Sequence, residues 1–233
     1  MQREIVLDTE TTGLKANGGD RLVEIGCVEL FNRIPTGKEF HAFINPEGRE
    51  VHPEAEAIHG ISNAFLEDKP AFHEIVSDFV EFISEDQLVI HNAPFDIGFI
   101  NMELQRIDQA PILMERVVDT LALARRKHPA GPNTLDALCK RYGIDNTIRT
   151  KHGAIVDSLL LADVYVELLG ERQANLSLAQ QGQSGGDVRR RATKAAQRPA
   201  PLPSRLTAED VAAHEAFVET LGDDAIWKSY ARG

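Results

Sequence analysis

Cysteine is scarce in this chain of 233 residues, and the two present, Cys27 and Cys139, lie in apolar patterns with no CxxC spacing. Neither a disulfide framework nor a cysteine-based zinc site is indicated, and both are expected to be buried free thiols. Long apolar runs are missing too. No stretch approaches the ~18 residues of a membrane span, and the chain enters a strand almost at once instead of through a basic leader. The expected location is therefore cytoplasmic, with no membrane partner. Basic excess is the third absence: the net charge is −11, and residues 1–170 hold 16 Lys+Arg against 28 Asp+Glu. Such an acidic body draws no affinity for a polyanion from its general surface. If nucleic acid is the substrate, metal ions or a partner must deliver it.

What is present begins with VLDTETTGL at residues 6–14. Side chains along a strand alternate faces, so Asp8 and Glu10 point one way and Thr9 the other. Residues 21–32 and 37–45 read as two more strands, with Pro35-Thr36-Gly37 as the turn between them. Helical spacing follows over 53–60 and through Phe72, Ile75, Val76, Phe79, Val80 and Ile83. Residues 87–90 form a short buried strand, Pro94 opens a helix, and Val117-Val118 is a last strand before helices near 120–128, 134–142 and 154–169. Antiparallel strands followed by strands alternating with helices predict an α/β fold, a mixed sheet of five strands flanked by helices. The composition then shifts: 179–205 is a Gln-, Gly-, Ala-, Arg- and Pro-rich flexible linker. Residues 206–233 carry a helix capped by Thr207, with Phe217 and Leu221 on one face and Trp227 beyond it, too short for a core and so expected to dock onto something else.

Two more acids stand at the ends of later elements. Asp96, in HNAPFD, falls in the first turn of a helix that leaves strand 87–90, which brings it toward the sheet end carrying Asp8 and Glu10. Asp157 lies one turn into the last long helix, and His152 is placed on the loop before it, beside a hinge-like Gly153. Each residue alone is ordinary surface polarity.

The ordered set D-T-E, H-N-A-x-F-D and H-x4-D resembles the DEDDh exonuclease family. Tyr142 does not start the Y-x3-D of the sister group, because residue 146 is Asn. PEAEAIHGIS (53–62), NTLDALCKRYGID (133–145) and the tail are similar to the proofreading members of that family. The resemblance implies a ribonuclease-H-like fold over 1–172, digestion of a single-stranded or frayed DNA 3′ end, and two divalent cations, Mg²⁺ or Mn²⁺. It adds Glu54 and His59 as contacts to the terminal nucleotide, and implies as partners a replicative polymerase catalytic subunit and a small third core subunit. Residues 206–233, with Phe217, Leu221 and Trp227 as anchors, resemble the polymerase-binding end of those members. Gln173, Leu176 and Leu178, in a Q-x-x-L-x-L pattern at 173–178, resemble a peptide that docks on a sliding clamp.

The chemistry agrees on separate grounds. Phosphodiester hydrolysis is helped by two ions ~3.5–4 Å apart that stabilise the attacking and leaving oxygens, and hard cations take oxygen ligands. Asp8 would bridge both ions, with Glu10, Asp96 and Asp157 completing the shells, while His152 suits a general base near neutrality. Thr11 and Gly13 would let the backbone approach the terminal nucleotide, with Glu10 also in contact with the substrate. The alternatives are a phosphatase of the D-x-D-x-T type, against which Glu10 and the distant Gly222-Asp223-Asp224 count, an RNA-directed exonuclease, and a tether between polymerase and clamp.

Overall fold

The structure, a computed structural model, describes residues 2–147, 149, 151–170 and 206–222. These fall into two units, a body reaching Gly170 and a separate helix in the tail. In the body, β1 (Arg3–Thr11), β2 (Leu22–Phe31) and β3 (Ile34–Phe43) are followed by α1 (Pro53–His59), α2 (Asn63–Leu66) and α3 (Phe72–Ile83). Then come β4 (Gln87–Ile90), α4 (Ala93–Arg106), β5 (Val117–Asp119), α5 (Thr120–Lys127), α6 (Leu135–Tyr142) and α7 (Ala154–Leu169). The tail helix is α8 (Ala208–Thr220). The strands form one sheet of order β3-β2-β1-β4-β5, antiparallel across β1, β2 and β3 and parallel from β1 to β5.

The central strand is buried on both faces, which explains its continuous apolar run. Ile5 and Leu7 enter a core with Phe72 and Phe79 of α3 and Phe99 of α4. Val6 joins the opposite core with Leu138 of α6 and Leu161 and Val164 of α7. Continuing this alternation, Asp8 and Glu10 follow Val6 toward α7, and Thr9 follows Leu7 toward α4. Arg21 forks onto Glu103 of α4 through Nε–Oε1 at 2.5 Å and Nη2–Oε2 at 2.8 Å, which fixes that helix against the sheet.

The β2–β3 turn differs from the sequence expectation. It is made by Asn32 and Arg33, both left-handed with φ 48° and 65°. Two consecutive positive φ values give a turn that matches strand twist, and the Asn32 side chain is fastened by accepting from the Gln2 amide at 3.0 Å. Pro35 sits in β3, an edge strand where its missing N–H costs no ladder bond. Gly37, at φ 82°, lies in the register shift between Val28 and Leu30, so the Pro-Thr-Gly signal marks a bulge instead of the turn. Cys27 and Cys139 are buried free thiols, as expected. Among the described residues no helix is long and apolar enough to cross a membrane.

Candidate active site

Helices α4 and α7 converge on the C-terminal end of β1. Asp8 pairs with Gly26 and Glu10 with Glu24 across β2. The α7 backbone lies directly on this glycine: a Cβ on Gly26 would stand 2.3 Å from the Ala154 carbonyl carbon and from the Ile155 nitrogen. Ser158 Oγ donates to the Gly26 carbonyl at 2.9 Å, and the Ala154 amide donates to Glu24 Oε2 at 3.1 Å, satisfying an orphan donor of the first helical turn. These bonds set the depth at which Asp157, 3% exposed, is held. Asp96 arrives from the other side. Its helix is entered through Asn92 in a left-handed conformation (φ 69°, ψ 47°), whose amide donates to Asp119 Oδ1 at 3.1 Å. Thr9, pointing away from Asp8 and Glu10, donates its hydroxyl to Asp96 Oδ1 at 2.7 Å.

Asp8, Glu10, Asp96, Asp157 and His152 thus line one cavity of about 670 Å³. Ligand atoms of Glu10, His152 and Asp157 lie within 4.8 Å of one another, and Asp8 and Asp96 complete the wall. The crowding is visible in their acidity. Burial, then the charges of Asp96, Glu10 and Asp157, holds the Asp8 carboxyl well above the ordinary range. Burial and neighbouring Asp157 and Glu24 raise Glu10 to about 8. Burial raises Asp96 to about 7 against the hydrogen bond from Thr9. Like charges brought together in a poorly solvated pocket resist joint ionisation, and a cation placed among their oxygens removes that resistance.

His152 lies on the loop before α7, its Nδ1 3.3 Å from Asp157 Oδ2. Its backbone amide donates to the Ile58 carbonyl at 3.3 Å, tying this loop to α1. Arg149, which sequence reasoning passed over, forks onto Asp157 with Nε–Oδ1 and Nη2–Oδ2 both at 2.5 Å. It also reaches Asp136 at 2.6 Å and His152 Nδ1 at 2.6 Å. Four clustered acids imply a counter-charge, but sequence position gives no sign that residue 149 supplies it. Glu24 and Gly26 were also missed; a charge and a glycine inside the otherwise apolar VEIGC strand were the available signals.

A second cavity of about 460 Å³ shares only Glu10 and Phe95 with the first, and gathers Thr11, Gly13, Glu54 and His59. His59 is not on a solvent face: it is 6% exposed, with Nδ1 accepting from the Ile61 amide at 3.0 Å and Nε2 unpartnered. Gly13 is required for a reason beyond close approach of a ligand, since a Cβ there would meet Asp20 Oδ2 and His52 Cδ2, each at 2.5 Å. Phe217 in α8 and Leu221 at its C-terminal cap are 61% and 47% exposed. Gln173, Leu176, Leu178 and Trp227 lie outside the described residues.

The model of a family described as exonuclease matches residues 5–165. DNA polymerase III subunit epsilon of Rickettsia felis is 46% identical over 222 residues, covering 94% of this chain and 96% of that protein. The subunit of the same name from Escherichia coli K12 is 42% identical over 242 residues, covering 97% and 98%. Among solved structures, exonuclease X in complex with 5′ overhanging duplex DNA superposes with a TM-score of 0.58 at 26% identity, covering 72% of this chain and 92% of the other. With the acid set, the fold and these relatives in agreement, the chain belongs to the DEDDh exonuclease family, close to the epsilon subunits of DNA polymerase III.

Proposed function

We propose that this 3′–5′ exonuclease removes mispaired nucleotides from DNA ends beside a replicative polymerase, with Asp8, Glu10, Asp96 and Asp157 as metal ligands and His152 as general base. The observation that carries the reading is the convergence of carboxylates from β1, α4 and α7 on one cavity with His152 at its rim. Two divalent cations, Mg²⁺ or Mn²⁺, supply when bound the Lewis-acid stabilisation of charge on the attacking and leaving oxygens. The donor set fits them. Carboxylate oxygens suit hard cations, and acids that hold their protons for want of counter-charge release them to a cation.

Asp8, which feels the charges of Asp96, Glu10 and Asp157 together, would hold the cations jointly with those three acids. Thr9 fixes the Asp96 oxygen that stays turned to the protein. His152 takes the proton of the attacking water; its Nδ1 accepts from Arg149 at 2.6 Å and lies 3.3 Å from Asp157 Oδ2, contacts that hold the ring at the rim of the cavity. The terminal nucleoside occupies the second cavity, against Thr11, Gly13, Glu54 and His59. The acidic body leaves delivery of the DNA end to the polymerase, held by 206–233, and to a sliding clamp engaged by Gln173, Leu176 and Leu178. A small third core subunit and a cytoplasmic setting accord with this reading.

The test is metal-dependent trimming of a 5′-labelled single strand. Asp8→Ala should abolish cleavage with the fold intact, and His152→Ala should lower turnover by roughly 10²–10⁴-fold, the usual worth of a general base. Full activity in Asp8→Ala would sink the site assignment.

A further inference from the structure

The two cavities meet at Glu10 and Phe95 and leave the acid cluster in different directions. A strand whose scissile phosphate lies on the carboxylates must place one nucleoside in one cavity and its remaining length in the other. The cavity beside α1 is nucleoside-sized and partly apolar, with Leu14, Ala55 and Ile58 in its wall. The larger cavity runs outward between α5 and the loop leading into α6, where Arg125, Gly131, Asn133 and Thr134 line it.

This outer end is where the acidic body turns basic. The last turn of α5 carries Arg125, Arg126 and Lys127, and that of α6 carries Lys140 and Arg141. Two of these have structural employment: Lys127 donates to the Glu167 and Leu168 carbonyls at 2.7 and 3.1 Å, and Arg141 to the Pro132 carbonyl at 3.0 Å. In the cavity wall itself, Arg149 is committed to Asp157 and Asp136. Arg125 is different. It lines the cavity, is exposed, and makes no hydrogen bond or ion pair among the described residues. The loop facing it is anchored, since His91 Nε2 holds the Asn133 carbonyl at 2.9 Å and Nδ1 meets the Thr120 hydroxyl at 2.9 Å. A guanidinium with unused donors, set along a fixed polar wall that starts at the catalytic acids, suits a phosphodiester oxygen.

We propose that the channel between α5 and the 131–134 loop carries the DNA strand on the 5′ side of the scissile phosphate, and that Arg125 binds one of its backbone phosphates. The assignment rests on the exonuclease reading above and adds the path of the strand. It also gives an acidic body a cationic contact for its substrate along this channel.

The experiment compares two substrates with the full chain in Mn²⁺. One is the p-nitrophenyl ester of thymidine 5′-monophosphate, which has no nucleotide upstream of the scissile bond; the other is a single-stranded oligothymidylate. Arg125→Ala should lower kcat/KM on the oligonucleotide roughly tenfold, mostly through KM, as expected for loss of one charge-assisted contact, while the ratio of ester to oligonucleotide activity rises correspondingly. The salt dependence on the oligonucleotide should flatten by about 0.7 in log–log slope, the share of one phosphate on a single strand. Arg125→Lys should restore most of the oligonucleotide activity and the slope. Equal losses on both substrates, or no loss on either, would overturn the assignment. Failure of the unaltered protein to cleave the ester in a metal-dependent way would instead strike at the exonuclease site itself.

Discussion

Asp8, Glu10 and Asp96 hold protons that an ordinary surface carboxylate has lost, and this has a consequence for stability. Folding raises the pKa of Glu10 to about 8 and that of Asp96 to about 7, above the ~4 of unfolded carboxylates. The folded chain therefore binds more protons than the unfolded chain across that interval, and stability falls as pH rises from about 4 to about 8. Divalent cations replace the protons as counter-charge. Thermal melts in a chelator should show Tm decreasing from pH 5 to pH 8, and saturating Mn²⁺ should flatten that slope and raise Tm most at the alkaline end. A chelated protein whose Tm rises or stays level over this range would contradict the crowding argument. Arg149 moderates the same repulsion, since its charge opposes the rise at both Asp8 and Glu10.

At the scale of elements, the site depends on how closely α7 lies on β2. Gly26 is the contact point, and its missing Cβ lets the first turn of α7 settle on the sheet with Ala154 and Ser158 bonded to Glu24 and Gly26. Gly26→Ala must push the helix outward, because the obstructing atoms are backbone and have no rotamer to escape into. Overpacking of this kind costs about 1–3 kcal/mol, and it moves Asp157 relative to Asp8. The expected result is a lowered Tm together with weaker Mn²⁺ activation of cleavage; unchanged metal dependence would show that α7 tolerates the shift. The His152 loop is likewise hung between elements, its amide on the Ile58 carbonyl of α1. His152 and the wall of the second cavity are thereby mechanically joined.

For the whole molecule, charge and the tail set the behaviour. An acidic nuclease body gains little from the counterion release that usually supplies non-specific affinity for DNA, so the isolated protein should degrade single strands in short, distributive events. On the proposed reading the tail serves delivery. Phe217 of α8 and Leu221 just beyond it are exposed, and they are the proposed anchors for the polymerase. A form ending at residue 180 should keep its activity on free oligonucleotides but fail to co-purify with a replicative polymerase. In the full chain, Trp227→Ala should weaken that complex by about 2 kcal/mol or more if the tryptophan is a hot spot. Undiminished polymerase affinity in both forms would remove the tail from the interface.

The sequence by itself determined the strand that ends in Asp8 and Glu10, the helices carrying Asp96 and Asp157, and the ordered acid set, because strand alternation and helical period are local properties written into residue spacing. It also carried the family resemblance, through motifs that keep their order along the chain. It misplaced the β2–β3 turn, since Pro-Thr-Gly is equally good chemistry for a bulge and only pairing register separates the two. Tertiary structure alone decided that Arg149 lies on Asp157, that Gly26 is the seat of α7, that His59 is buried, and that Arg125 opens onto the same cavity as the acids. Each of these is a relation between residues far apart in the chain or across a loop without periodicity. Such relations are fixed by which faces pack together in three dimensions, and no local spacing records them.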